Sequence, residues 1–191
     1  MSELLTIAFT AIFLQNVVLY NFLGMCPTLG VSKKLSSAVG MGVAVIFTIF
    51  GSSIITYAIY HLILEPTNLQ YMDLLVFILV IASFVQFIEL FIKKTSKELY
   101  KSLGIYLPLI TTNCAVLFVA LENIKQGFTV PEMLVYSLAV SIGFLIVLVI
   151  FSAIRERLEA ADTPKYFVGN PVAMIVLAIM AFAFSGLAGI I

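Results

Sequence analysis

The chain has 191 residues, of which 62% are apolar and 10% charged, with ten Lys/Arg balanced by ten Asp/Glu. Soluble domains run near half apolar and about a quarter charged, so this composition excludes a soluble globular domain and a disordered chain. The charge balance leaves no basic face for phosphates, so nucleic acid is excluded as a partner, and two cysteines cannot build a disulfide scaffold.

What remains is an integral membrane protein, all-α and in contact with lipid. Six apolar stretches approach the roughly 20 residues that carry a helix across the hydrocarbon: about 4–23, 38–62, 73–92, 105–121, 133–154 and 171–190. Such long unbroken apolar runs predict helices rather than alternating barrel strands. The connections are short, so 1–191 reads as a single polytopic membrane domain. There is no basic n-region and no small-residue cleavage site, so a removable signal peptide is not expected.

The first stretch carries Gln15 and Asn16 and runs into Asn21-Phe22-Leu23-Gly24-Met25-Cys26-Pro27-Thr28-Leu29-Gly30. Gly24 and Pro27 are helix breakers beside a cysteine. The second opens Ser36-x-Ala38-Val39-x-x-Gly42 and ends near His61, the one histidine, which is no metal site by itself. The third starts at Asp73, a solvated boundary residue, and carries Gln86 and Glu89. Glu89 stands four residues before Lys93 and reads equally as an interfacial partner of that lysine or as a carrier of a coupling ion. Gln15 and Gln86 suit interhelical hydrogen bonds, or a pathway lining.

The fourth stretch contains Leu107-Pro108-Leu109-Ile110-Thr111-Thr112-Asn113-Cys114-Ala115-Val116, again a breaker and a cysteine among polar side chains. The fifth opens Ser137-x-Ala139-Val140-x-x-Gly143, repeating the opening of the second 101 positions later. It ends in Arg155 and Arg157, which read as anchors at the cytoplasmic surface or as a docking point for a soluble partner. Asn16 and Asn113 match loosely. The pattern suggests an inverted three-plus-three repeat, halves about 1–100 and 101–191, with a site near mid-membrane where broken helices meet.

Orientation follows the basic residues. Lys33, Lys34, Lys93, Lys94, Lys97, Lys101, Arg155, Arg157 and Lys165 lie in the first, third and fifth connections, against Lys125 alone on the other side. The odd connections are therefore predicted cytoplasmic and both termini outside.

Three readings of Cys26 and Cys114 stand side by side. They are buried small hydrophobes, a disulfide that the reducing cytoplasm disfavours, or thiolate ligands of a metal or iron–sulfur centre. A [2Fe–2S] cluster usually takes four cysteines, so a second chain would have to supply two more. No phosphate loop or dinucleotide-binding G-x-G-x-x-G motif is present, so NAD binding by this chain is not expected.

Three motifs resemble one known family. They are Leu23-Gly24-Met25-Cys26-Pro27-Thr28-Leu29-Gly30-Val31-Ser32-Lys33-Lys34-Leu35 with Gly40-Met41-Gly42, then Leu103-Gly104-Ile105-Tyr106-Leu107-Pro108 through Val116, and Ile154-Arg155-Glu156-Arg157-Leu158 with Asp162-x-Pro164. Together they resemble A-type subunits of the Rnf complex over nearly the whole chain. The E-type component of the related sodium-pumping NADH:quinone reductase is similar, but tends to lack the proline after the first cysteine and to have a longer second connection. Pro27, Gly30 and the short 63–72 stretch favour the Rnf type.

The resemblance implies a component of a bacterial inner-membrane redox translocase. The complex moves electrons between ferredoxin and NAD, coupled to Na+ or H+ transport. Its A-type and E-type components are six-span relatives in opposite orientations. They share a membrane-embedded [2Fe–2S] cluster, two cysteines from each, alongside subunits of types B, C, D and G. Carried over by position, the iron ligands are Cys26 and Cys114. Gly24, Pro27, Thr111, Thr112 and Asn113 are then candidates to hydrogen-bond the sulfurs or to hold the broken helix. The family's flavin subunits use a Ser/Thr-rich acceptor motif that this chain lacks. Two rival readings are a small-solute or ion transporter binding at 111–113, and a purely structural membrane protein with inert cysteines.

Overall fold

A computed structural model describes residues 2–64, 72–95, 109–110, 112–159 and 169–188. The regular structure among them is helical, as it must be where lipid offers backbone groups no partner. Helix α1 (Ser2–Phe9) passes into a π-helical turn, Thr10–Leu14. Then come α2 (Met25–Val31), α3 (Leu35–Ile59) with a second π-helical turn at Tyr60–Leu64, α4 (Asp73–Thr95), α5 (Cys114–Lys125), α6 (Val130–Glu159) and α7 (Asn170–Ala188).

Among the described residues, two helices are long and apolar enough to cross a membrane: Leu35–Leu64 and Val130–Leu158, of 30 and 29 residues. At 1.5 Å per residue each spans roughly 45 Å, more than the roughly 30 Å of hydrocarbon. Both are apolar on every side, with Val43 and Phe47 of α3 exposed on its outer face while Met41, Val45 and Ile49 are fully buried. Shorter apolar helices cover Leu4–Leu14, Leu74–Leu90 and Asn170–Gly186.

The two long helices form the centre. Gly42 of α3 lies flat against α6, where a Cβ would run into Leu145. Small residues let helix backbones approach in this way. Buried hydroxyls on α3 turn back to their own helix, Thr48 to the Ala44 carbonyl at 2.9 Å and Thr56 to the Ser52 carbonyl at 2.7 Å. The packing then crosses over: α1 and its π turn lie on α6, and α5 lies on α3. Gly143 of α6 allows the first contact, because a Cβ there would sit 3.0 Å from Asn16 Nδ2 and 3.2 Å from the Ile12 carbonyl. At the start of α6 the Glu132 carboxylate reaches back to Thr129, whose N–H and hydroxyl both donate to Glu132 Oε2, at 2.9 and 2.7 Å, which is one half of a capping box.

The first and fourth predicted stretches are both interrupted. Stretch 4–23 is helical only to Leu14; the Gln15 N–H closes the π turn on the Thr10 carbonyl at 2.8 Å, and 15–24 runs as turns. In the fourth, Leu109 and Ile110 are helical, 112–113 is not, and α5 begins at Cys114. Thr111, Pro108, Leu103–Leu107 and the 63–72 connection beyond Leu64 and before Met72 lie outside the described residues, as do Asp162 to Lys165.

Candidate metal centre

Each cysteine sits at the first turn of a helix that follows a break. On the first side, buried Asn16 caps the turns: its Nδ2 donates to the Ile12 carbonyl at 3.1 Å and its Oδ1 accepts the Val18 N–H at 3.1 Å. The chain folds back with the Leu23 N–H on the Val17 carbonyl at 3.1 Å. Phe22 (φ +54°) and Gly24 (φ +76°) are both left-handed, a conformation that costs a bulky side chain about 1–2 kcal/mol. Gly24 is then the N-cap of α2, and Cys26 is its second residue.

Pro27 does not break this helix. It is the third residue of α2, where an N–H would have no intrahelical partner, so its missing donor costs nothing. Thr28 closes the turn, its hydroxyl donating to the Gly24 carbonyl at 2.8 Å.

On the second side, Asn113 is the N-cap of α5 and Cys114 its first residue. Asn113 Oδ1 accepts the Ala115 N–H at 3.0 Å, the same cap to residue i+2 that Asn16 makes. That bond fixes the amide: oxygen faces Ala115, and Nδ2 points the other way. Asn113 is 4% exposed, and its Nδ2 has no hydrogen-bond partner among the described residues.

The two segments meet. The Gly24 N–H donates to Cys114 Sγ at 2.9 Å, across 90 positions of sequence. The contact is close because Gly24 has no side chain. A Cβ there would lie 2.8 Å from Phe144 Cε2, 3.4 Å from Asn113 Oδ1 and 3.6 Å from the Ala115 Cβ. Phe144, buried on α6, thus backs the junction, and nothing in its local sequence marks it for that role. Both thiols are free; Cys26 is exposed and Cys114 partly so. Among the described residues no three His, Cys, Asp or Glu gather as a metal site. Cys26 and Cys114 are the two thiols that the Gly24 junction brings into neighbouring segments.

A cavity of about 500 Å³ adjoins Cys114 between α4 and α5, lined by Ile81, Gln86, Thr112, Asn113 and Leu117 among others. Thr112 is exposed, and Thr111 lies outside the described residues. Gln15 is exposed rather than engaged in the interior. His61 packs against Tyr57 with the rings tilted, centroids 4.5 Å apart, and meets Tyr60 edge-on in the same aromatic cluster. The Lys93 side chain lies outside the described residues, so its pairing with Glu89 does too. Arg157 is exposed as expected, but Arg155 is not a surface anchor: it is buried, with its guanidinium bonded to the end of α2. The surface reading failed because Arg155's acceptors come from elements distant in sequence.

The family model of Rnf-Nqr subunits, described as a membrane protein, matches residues 4–191. The A-type subunit of the Na(+)-translocating ferredoxin:NAD(+) oxidoreductase complex of Acetobacterium woodii is 49% identical over 186 residues, 97% of each chain. The A-type subunits of ion-translocating oxidoreductase complexes from Shewanella sediminis and Vibrio vulnificus are 48% and 46% identical over 191 residues, the whole of each chain.

Proposed function

The chain belongs to the Rnf-Nqr family of membrane subunits, and from that premise we propose that it is the A-type subunit of an ion-translocating ferredoxin:NAD oxidoreductase. In this reading it crosses the bacterial cytoplasmic membrane six times, as an inverted repeat with both termini outside. Cys26 and Cys114 hold one side of a [2Fe–2S] cluster within the membrane. A homologous E-type subunit of opposite orientation holds the other side, and subunits of types B, C, D and G complete the complex. The names of the similar subunits support the complex. The matched caps of Asn16 and Asn113 support the repeat.

One observation carries the cluster assignment: the Gly24 N–H to Cys114 Sγ bond, which brings two cysteine-bearing breaks into one place. The residues fit the group. Thiolates are the ordinary ligands of such clusters, and N–H donors to sulfur are what tune them. Gly24 supplies one such donor, and Asn113 Nδ2, buried and without a partner among the described residues, is a second. A bound cluster supplies a one-electron relay across a distance too great for a single hop through roughly 30 Å of hydrocarbon. The chain's own part is to fix the two sulfurs, donate hydrogen bonds to them and leave one side open to a partner. Transport of Na+ or H+ is coupled to that electron flow.

The test is ferredoxin-dependent NAD reduction by the complex carrying Cys26→Ser and Cys114→Ser together. Loss of the activity in an assembled complex is expected. Full activity would end the assignment. The cavity beside Gln86, Thr112 and Asn113 is the observation that favours a solute transporter instead. That reading predicts solute flux that survives loss of both cysteines.

A further inference from the structure

Arg155 is 4% exposed, in the interior of a chain where a charge is costly. Its Nη1 donates to the Leu29 carbonyl at 2.7 Å and to the Ser32 hydroxyl at 2.8 Å, and its Nη2 donates to Asn170 Oδ1 at 3.2 Å. One turn earlier on α6, the Ser152 hydroxyl donates to the Ser32 carbonyl at 3.0 Å. Leu29 and Ser32 are the last turn and the C-cap of α2, the helix that carries Cys26. The carbonyls of a helix's last turn lack intrahelical partners, so these bonds satisfy groups that would otherwise be stranded in an apolar setting.

Two features distinguish this from ordinary packing. The acceptors are all neutral, and no carboxylate pairs with Arg155 among the described residues. A buried cation without an anion is a poor stabiliser. Moreover, the helix it grips is only seven residues long and is held at its other end by the Gly24 junction. Leu29 lies three residues beyond Cys26, an axial rise of about 4.5 Å. Helix α2, which carries Cys26, is therefore held by two attachments, Gly24 to Cys114 at its start and Arg155 to Leu29 and Ser32 at its end.

We propose that Arg155 is a positioning residue for Cys26: it clamps α2 from α6 and holds a positive charge inside the protein on the Cys26 side of the centre. The inference rests on the cluster reading and goes beyond it. Reduction of a thiolate-ligated centre adds one negative charge, so a nearby buried cation stabilises the reduced form and raises its midpoint potential.

The experiment uses the purified complex with Arg155→Gln, Arg155→Lys and Ser32→Ala, beside wild type and Cys26→Ser. Two quantities are read: the midpoint potential of the Cys26-dependent electron paramagnetic resonance signal, and hydrogen exchange of the amides in 25–32. Arg155→Gln should move the potential to more negative values and speed exchange there by about tenfold or more, as expected for the loss of charged hydrogen bonds. Arg155→Lys should keep the potential near wild type, because the charge stays, while exchange still rises. Ser32→Ala should speed exchange without moving the potential as far as Arg155→Gln. An assembled Arg155→Gln complex with unchanged potential and unchanged exchange overturns the proposal. If that variant does not assemble, the proposal stands or falls on Ser32→Ala and Arg155→Lys, and unchanged exchange in both overturns it. A wild-type complex with no Cys26-dependent signal removes the cluster reading instead, and exchange alone then decides whether Arg155 clamps α2.

Discussion

Adding one methyl group at Gly24 should damage the cysteine junction more than at any other left-handed glycine among the described residues. Two costs add there. An L-residue at φ +76° costs about 1–2 kcal/mol. The new Cβ would also stand 2.8 Å from Phe144 Cε2 and 3.4 Å from Asn113 Oδ1. Phe144 is 1% exposed, so its ring has no room to swing away, and overpacking of this kind costs about 1–3 kcal/mol. Gly24→Ala should therefore destabilise by about 2–5 kcal/mol. Gly127 supplies the control, because it has φ +62° and nothing within 4 Å of where a Cβ would stand. Gly127→Ala should carry the backbone cost alone, about 1–2 kcal/mol. Denaturant unfolding of the purified complex in detergent measures both, and the difference isolates the contact at the junction. Bound iron should fall in Gly24→Ala and hold in Gly127→Ala. Equal destabilisation by the two variants, with iron retained in both, would refute the claim that Gly24 is small because Cys114 and Phe144 need the space.

Three further outcomes follow from the same geometry. Asn113→Ala should destabilise α5 by about 1 kcal/mol through loss of its cap, seen as a lower denaturation midpoint. Asn113→Asp keeps an acceptor for the Ala115 N–H but replaces the Nδ2 donor by negative charge, so redox titration should find the centre at a more negative potential. On α3, Gly40→Ala meets nothing within 4 Å and should stabilise by about 0.5–1 kcal/mol, whereas Gly42→Ala runs into Leu145 and should destabilise by about 1–3 kcal/mol; thermal unfolding of the two variants should shift in opposite directions.

The sequence carries those parts of the fold whose cause is local. The apolar runs of α3 and α6 are legible because each residue contributes to the same hydropathy, whatever its neighbours in space. The break before Cys114 is legible in part: Pro108 announces an interruption, but Asn113 as the N-cap that fixes where the new helix starts is seen only in the structure, although its side-chain chemistry suits that place. Pro27 shows where local rules blur: a proline marks either the end of a helix or its first turn, and only the backbone distinguishes them. What brings the site together is not local at all. Gly24 and Cys114 are 90 positions apart, and Arg155 reaches acceptors 123 and 126 positions away. An arginine at the end of an apolar helix reads as an interfacial anchor unless the packing that buries it is known, and no periodicity encodes that packing.

Whether Cys26 and Cys114 are ligands of one shared iron–sulfur centre is tested most directly by iron content and low-temperature electron paramagnetic resonance of the purified, reduced complex, with wild type beside Cys26→Ser and Cys114→Ser. Loss of the same [2Fe–2S] signal, and of its iron, from both assembled variants is the predicted result. Signal and iron unchanged in either variant would contradict the shared-ligand assignment.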